Sequence, residues 1–141
     1  MAPSANALKQ NALEQSELVL PCPAGRIWRT VTDLQHYGWR SDLSRLEVQA
    51  DGRFVEYTRQ GFPTTFTVTA ANPCRRWAFT LENENLRGRW QGIFWERQGK
   101  TAVLFTEWVE PKAPVPAVLI RLYLKQQQRR YLADLRRALG C

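Results

Sequence analysis

SRLEVQADGRFVEYTRQGFPTTFTVTAANPCRRWAFTLENENLRGRWQGIFWERQGKTAVLFTEWV, residues 44–109, is the stretch that decides the fold. Turn signals interrupt it at Asp51-Gly52, Gln60-Gly61, Asn72-Pro73, Glu82-Asn83-Glu84-Asn85 and Gln98-Gly99. Asp-Gly between alternating segments marks a two-residue hairpin, because both central residues of that turn take positive φ. Six consecutive strands are therefore expected from Ser44 to Val109. The segment 74–82 alternates cleanly, with Trp77, Phe79 and Leu81 on one face and Arg76, Ala78 and Thr80 on the other. The segment 62–71 places Phe62, Thr64, Phe66 and Val68 together. Segments 86–97 and 100–109 are apolar on both sides, and period alone leaves open which face is inner.

Downstream, Val115 to Leu139 reads as one long helix. A wheel groups Ala117, Ile120, Leu124, Tyr131, Leu135 and Ala138, flanked by Leu132 and Leu139, with Gln128 inside the apolar face and Arg130 and Arg137 turned to solvent. A buried amide there needs a partner or a water. Val118, Leu119, Leu122 and Tyr123 spread apolar character around the helix start, more than a sheet-facing stripe requires. Upstream, a first strand fits Leu13 to Leu20. Pro23 suits a first helical position, and Ala24, Ile27, Trp28 and Val31 follow at i, i+3, i+4 and i+7. Leu34 to Leu43 suits a short second helix or a turn. A meander with one amphipathic helix lays that helix across the concave face of a curved sheet, which leaves room between them.

The 141 residues fit one domain and need no disulfide to bury a core. Residues 1–12, rich in Ala, Asn and Gln, are expected to be a mobile N-terminal segment, with a single domain over 13–141. The net charge of +7 is concentrated on the last helix, where Arg121, Lys125, Arg129, Arg130, Arg136 and Arg137 meet only Asp134. The plain reading is a solvated face with cations near a helix C-terminus. The alternative is contact with an anionic partner such as ribosome, nucleic acid or membrane, of which nucleic acid is disfavoured. Cys22, Cys74 and Cys141 are odd in number and none pair at metal-ligand spacing. No signal peptide or membrane span is visible, so a cytoplasmic protein with reduced thiols is expected.

This order of elements meets residues that resemble the helix-grip, START-like (SRPBCC) superfamily and its polyketide cyclase/dehydrase-like group. Pro23-Ala24-Gly25-Arg26-Ile27-Trp28 is similar to its s-P-e-x-v-W opening. Thr32-Asp33-Leu34, with Tyr37 and Trp39, resembles t-D-l-x-x-y-x-x-W. Leu86-Arg87-Gly88-Arg89-Trp90 resembles the G-x-W strand. Gly99-Lys100-Thr101-Ala102-Val103 with Thr106-Glu107 resembles the closing strand, and Tyr131-Leu132-Ala133-Asp134-Leu135 the end of the final helix. Cys22 stands where Ser commonly caps the first helix. The resemblance implies an α+β helix-grip fold. A curved seven-stranded antiparallel sheet would wrap a long C-terminal helix, with two short helices after the first strand. It also implies an apolar cavity for a lipid, polyketide or quinone-like molecule. Family members share a fold without sharing chemistry.

Within that frame the expected ligand-binding residues are Tyr57, Phe66, Trp77, Phe79, Trp90, Phe94, Phe105, Leu124 and Gln128. A non-catalytic binding protein without cofactor or metal is the first reading. The alternative is an enzyme of cyclase or dehydratase type. Its conditional catalytic candidates are Glu56 and Glu107, because a desolvated carboxyl has a raised pKa and moves protons near neutrality. Against that stands pairing of each glutamate with Arg53, Arg59 or Arg97. His36, the single histidine, reads as a surface residue, and Ser41 and Ser44 as local caps. No glycine-rich phosphate loop is present. Val118, Leu119, Leu122 and Tyr123 are expected to meet a second subunit or an anionic membrane surface, unless a loop such as that carrying Trp39 covers them.

Overall fold

The computed structural model describes residues 12–141. The expected mobile segment over 1–12 lies outside the described residues except for Ala12, which is buried at the start of the first strand. The strands are β1 (Ala12–Leu20), β2 (Leu43–Val48), β3 (Arg53–Thr58), β4 (Pro63–Asn72), β5 (Arg76–Glu82), β6 (Leu86–Arg97) and β7 (Lys100–Pro111). The helices are α1 (Ala24–Thr32) and α2 (Ala117–Leu139). Seven strands form one sheet in the order β1-β7-β6-β5-β4-β3-β2, and every neighbouring pair is antiparallel. This is the α+β helix-grip architecture.

The turn chemistry explains the meander. Asp51 and Gly52 have φ of 62° and 72°, and Gln98 and Gly99 have 55° and 77°, so both hairpins use left-handed central residues. At the Asn72-Pro73 turn the positive φ falls on Cys74, at 62°, and Arg75 N–H closes it onto Asn72 O at 3.0 Å. The helix α2 stops at Gly140, whose φ of 65° lets its N–H reach Arg136 O at 3.1 Å.

Only one short helix follows β1, not two. Asp33 diverts the chain: its carboxylate accepts the N–H groups of Gln35 and His36, each at 3.1 Å, which competes with a helical ladder. Pro23 is the N-cap of α1 rather than its first residue, and it offers no side-chain cap. The free Ala24 N–H instead donates to Glu96 Oε1 from the end of β6, at 2.5 Å. A carboxylate at a helix N-terminus also meets the favourable end of the dipole.

The helix α2 packs along β1 and barely touches the sheet's far strands. One end of the core joins Leu20, Ile27, Val103, Leu135 and Leu139; the other joins Ala12, Val109, Ile120 and Leu124. Full burial of such a side chain contributes about 1.5–3 kcal/mol. Between the two ends the helix stands off β3–β6. Ala138, expected on the inner face, is exposed, and Asp134 is buried there instead. Cys22 and Cys141 are not free thiols but a disulfide pair with Cα atoms 6.1 Å apart; Cys74 alone is free. The pairing follows from the fold, because the end of α2 returns beside the start of α1, where Arg26 also donates to Leu139 O.

Candidate functional site

The space between α2 and the sheet is a cavity of about 520 Å³. Its wall is an aromatic ladder that the strand register builds. Phe54 pairs with Phe66, Phe79 pairs with Trp90, and Phe105 lies across from Gly92. Ring centroids step from Phe54 to Phe66 at 4.9 Å, to Phe79 at 5.1 Å, to Trp90 at 4.9 Å and to Phe105 at 4.9 Å. Phe79 and Trp90 are stacked nearly parallel, with 4° between their planes. Gly92 makes this possible: a Cβ there would come within 2.9 Å of the Trp90 ring and 3.0 Å of Phe105.

Of the expected ligand residues, Phe66, Trp77, Phe79, Trp90, Phe105, Leu124 and Gln128 line the cavity. Tyr57 does not. Since Phe54 and Glu56 face inward, the two-residue period puts Tyr57 on the outer face, where Arg45 lies 4.1 Å above its ring. Phe94 shares the inner face with Trp90 but sits beyond the cavity, covered by Trp28 of α1 at 5.6 Å. Gln128 is buried, and β1 uses its amide: Ser16 Oγ donates to Oε1, and Nε2 donates to Glu14 O at 3.1 Å. It fixes the helix to the sheet.

The polar part of the cavity comes from the segment between α1 and β2. Arg40 donates to both oxygens of Asp42, at 3.0 and 2.9 Å, and to both oxygens of Glu56, at 3.2 Å each. Its guanidinium lies 4.9 Å from the Tyr131 ring centroid. Burial opposes the charge on Arg40, but Glu56 and Asp42 more than offset this and hold its pKa above the ordinary value. Burial drives the Tyr131 hydroxyl upward, and Arg40 only partly offsets it. Glu56 thus pairs with Arg40, not with Arg53, Arg59 or Arg97.

Glu107 differs. Its carboxyl makes no hydrogen bond or ion pair among the described residues, and it faces the cavity. Burial first, and the Glu56 charge second, raise its pKa to about 7. Residue pattern alone does not reveal Arg40, Tyr131 and Asp42 as site residues, since their positions depend on how a loop folds over the sheet. Asp134 anchors that loop by accepting from Ser41 N–H and Oγ, both at 2.8 Å. Ser41 is therefore a long-range tie to α2 rather than a local cap, whereas Ser44 Oγ donates to Thr58 O of the neighbouring strand at 2.7 Å. Arg130 and Arg137 are exposed, as expected, but their guanidinium groups are tied to Ser41 and Asp134. The His36 side chain is 84% exposed and pairs with Asp33. Among the described residues, no group of three or more His, Cys, Asp or Glu side chains is placed to hold a metal ion.

Val118, Leu119, Leu122 and Tyr123 remain between 54% and 59% exposed. Trp39 does not cover them; it packs edge-on against Tyr131 at 5.3 Å. Tyr123 also lines the cavity, so this patch borders its mouth. No helix among the described residues is long and apolar enough to cross a membrane.

The family model described as "Polyketide cyclase / dehydrase and lipid transport" matches residues 14–140. Solved structures share the fold at low identity. A START superfamily protein from Mycobacterium smegmatis superposes with a TM-score of 0.83 at 13% identity, covering 91% of this chain and 97% of its own. A conserved protein from Geobacillus kaustophilus gives 0.79 at 10% identity, with 91% and 95% covered. No curated protein sequence matches the chain significantly.

Proposed function

Because the chain belongs to the polyketide cyclase/dehydrase and lipid transport family, we propose that it binds and carries a hydrophobic small molecule of lipid, polyketide or quinone-like character between α2 and the sheet. The observation that carries this reading is the aromatic-walled cavity of about 520 Å³, a volume typical of small-molecule sites. The ladder from Phe66 to Phe105 supplies the apolar contact, and Arg40, Glu56, Glu107 and Tyr131 supply the few polar groups. Nile red, an uncharged fluorescent probe, tests it: binding should quench tryptophan emission, and Trp90→Ala or Phe79→Ala should change the affinity. A folded protein with no Nile red affinity overturns the reading.

The exposed patch at the start of α2 gives the carrier a route for loading. Arg121 and Lys125 flank the four apolar side chains, a combination that suits an anionic bilayer surface. A second reading, a cyclase or dehydratase, is favoured by one observation: Glu107 is an unpaired cavity carboxyl whose pKa of about 7 lets it take and return a proton near neutrality. On that reading Glu107→Gln abolishes turnover and leaves ligand affinity largely intact; an active Gln variant removes it.

A further inference from the structure

The cavity's polar groups are unevenly charged, and this bears on which head group it accepts. Two carboxylates, Asp42 and Glu56, surround the single buried guanidinium of Arg40, so the cluster is net negative. Both faces of that guanidinium's hydrogen-bonding fork are occupied, leaving it a poor partner for an incoming anion. The other cations that line the cavity, Arg59 and Arg130, are exposed at the rim and donate to Ser41 O at 3.1 and 2.9 Å. There, solvent and salt screen them. Of the other polar side chains that line the cavity, the Glu107 carboxyl and the Tyr131 hydroxyl lie against the aromatic ladder and make no hydrogen bond among the described residues, whereas the Tyr123 hydroxyl and the Gln127 amide meet each other.

We propose that the cavity selects an uncharged ligand whose apolar body ends in a carbonyl or hydroxyl head, received by Glu107 and Tyr131, and that it rejects carboxylate- and phosphate-headed molecules. This rests on the carrier reading above and names its ligand class. A carbonyl oxygen accepts from Glu107 when that carboxyl holds its proton, or from the Tyr131 hydroxyl. A carboxylate in the same place meets Glu56 and Asp42 in a poorly solvated setting, where like charges are costly.

Protonation of Glu107 therefore enters the binding. The charged and titratable groups that share the cavity with it are Glu56 on β3, Arg59 just after it, Asp33, Tyr37, Arg40 and Asp42 between α1 and β2, and Tyr123, Arg130 and Tyr131 on α2; its register partner on β1 is Glu14. Its neighbour on β6 is Trp90, which does not titrate. With burial and Glu56 raising its pKa, the carboxyl is a donor in mildly acidic solution and loses that role in alkali.

The test uses three probes of one shape: naphthalene, β-naphthyl methyl ketone and β-naphthoate, titrated by tryptophan fluorescence and calorimetry. The acid is ionised throughout the range used, since carboxylic acids titrate near pH 4. At neutral pH the ketone should bind at least about tenfold more tightly than the naphthoate. Ketone affinity should fall on the order of tenfold between pH 6 and pH 8.5. In Glu107→Gln the amide donates at every pH, so ketone binding should persist and its pH dependence vanish. Equal affinity for ketone and acid overturns the inference while leaving the carrier reading standing. An unchanged pH profile in Glu107→Gln removes Glu107 as the donor and overturns it likewise. Absence of binding by all three probes overturns both.

Discussion

Replacing Glu107 by Gln should stabilise the protein above neutral pH and not below about pH 4.5. In the folded protein burial and the Glu56 charge raise the Glu107 pKa to about 7 from an ordinary value of 4.5. The native state therefore holds this proton more tightly than the unfolded chain. The linkage runs opposite to that of an ion-paired carboxylate. Below the unfolded pKa both states are protonated and the group contributes no pH dependence. As pH rises from about 4.5 to about 7 the unfolded state sheds its proton first, and stability falls. Above that the full cost is in place. A separation of about 2.5 units corresponds to about 3 kcal/mol at most, since the residue is partly accessible and solvent screening lowers the cost. Gln keeps the shape and carries no charge, so its stability profile lacks this fall. Urea denaturation of both proteins from pH 4 to pH 9 reads the difference directly, and the titrating groups that are not coupled to Glu107 cancel between them. Two profiles that stay parallel across the range would refute the claim that Glu107 is an unpaired, desolvated carboxyl.

Three further outcomes are expected. Asp134→Ala leaves Ser41 N–H, Ser41 Oγ and Arg137 without their buried acceptor and should cost about 3 kcal/mol by chemical denaturation. Hydrogen bonds hold the Asp134 pKa low against the opposing effect of burial, so this loss should be full above about pH 4 and shrink as pH falls through its folded pKa; a pH-independent difference contradicts it. Cys141→Ser opens a link between residues 119 apart and should lower stability by about 2–4 kcal/mol, with reductant producing the same change in the parent protein but none in the variant. Leu119→Ser with Tyr123→Ser should keep the melting temperature, because both side chains are already exposed, and lose binding to anionic vesicles in a flotation assay; a parent protein with no vesicle affinity sinks the loading route.

The meander was legible because its signals are local. Asp51-Gly52 and Gln98-Gly99 need only their own φ values to reverse the chain, and the two-residue period of Trp77, Phe79 and Leu81 needs only the pleat. The same period, applied outward from Phe54 and Glu56, already turns Tyr57 away from the cavity. Phe66, Trp77 and Phe79 were readable for that reason, whereas Trp90 and Phe105 stand on strands that are apolar on both sides, so that period left their inner face open; Gln128 was readable from its angle on the helix. What only the tertiary structure decided are the choices between two chemically equal alternatives. Trp28 covers Phe94 and leaves Trp90 facing the cavity, although both stand on the same face of β6. Arg40 neutralises Glu56 and not Glu107, because the loop tied down by Asp134 reaches β3 and stops short of β7. Cys22 meets Cys141 because α2 returns along β1 to the start of α1. Each of these contacts joins side chains distant in sequence or picks one of several equivalent positions on a strand. Where a strand alternates cleanly, period fixes which face a residue takes, while the element that packs above that face depends on long-range docking, which carries no local signature.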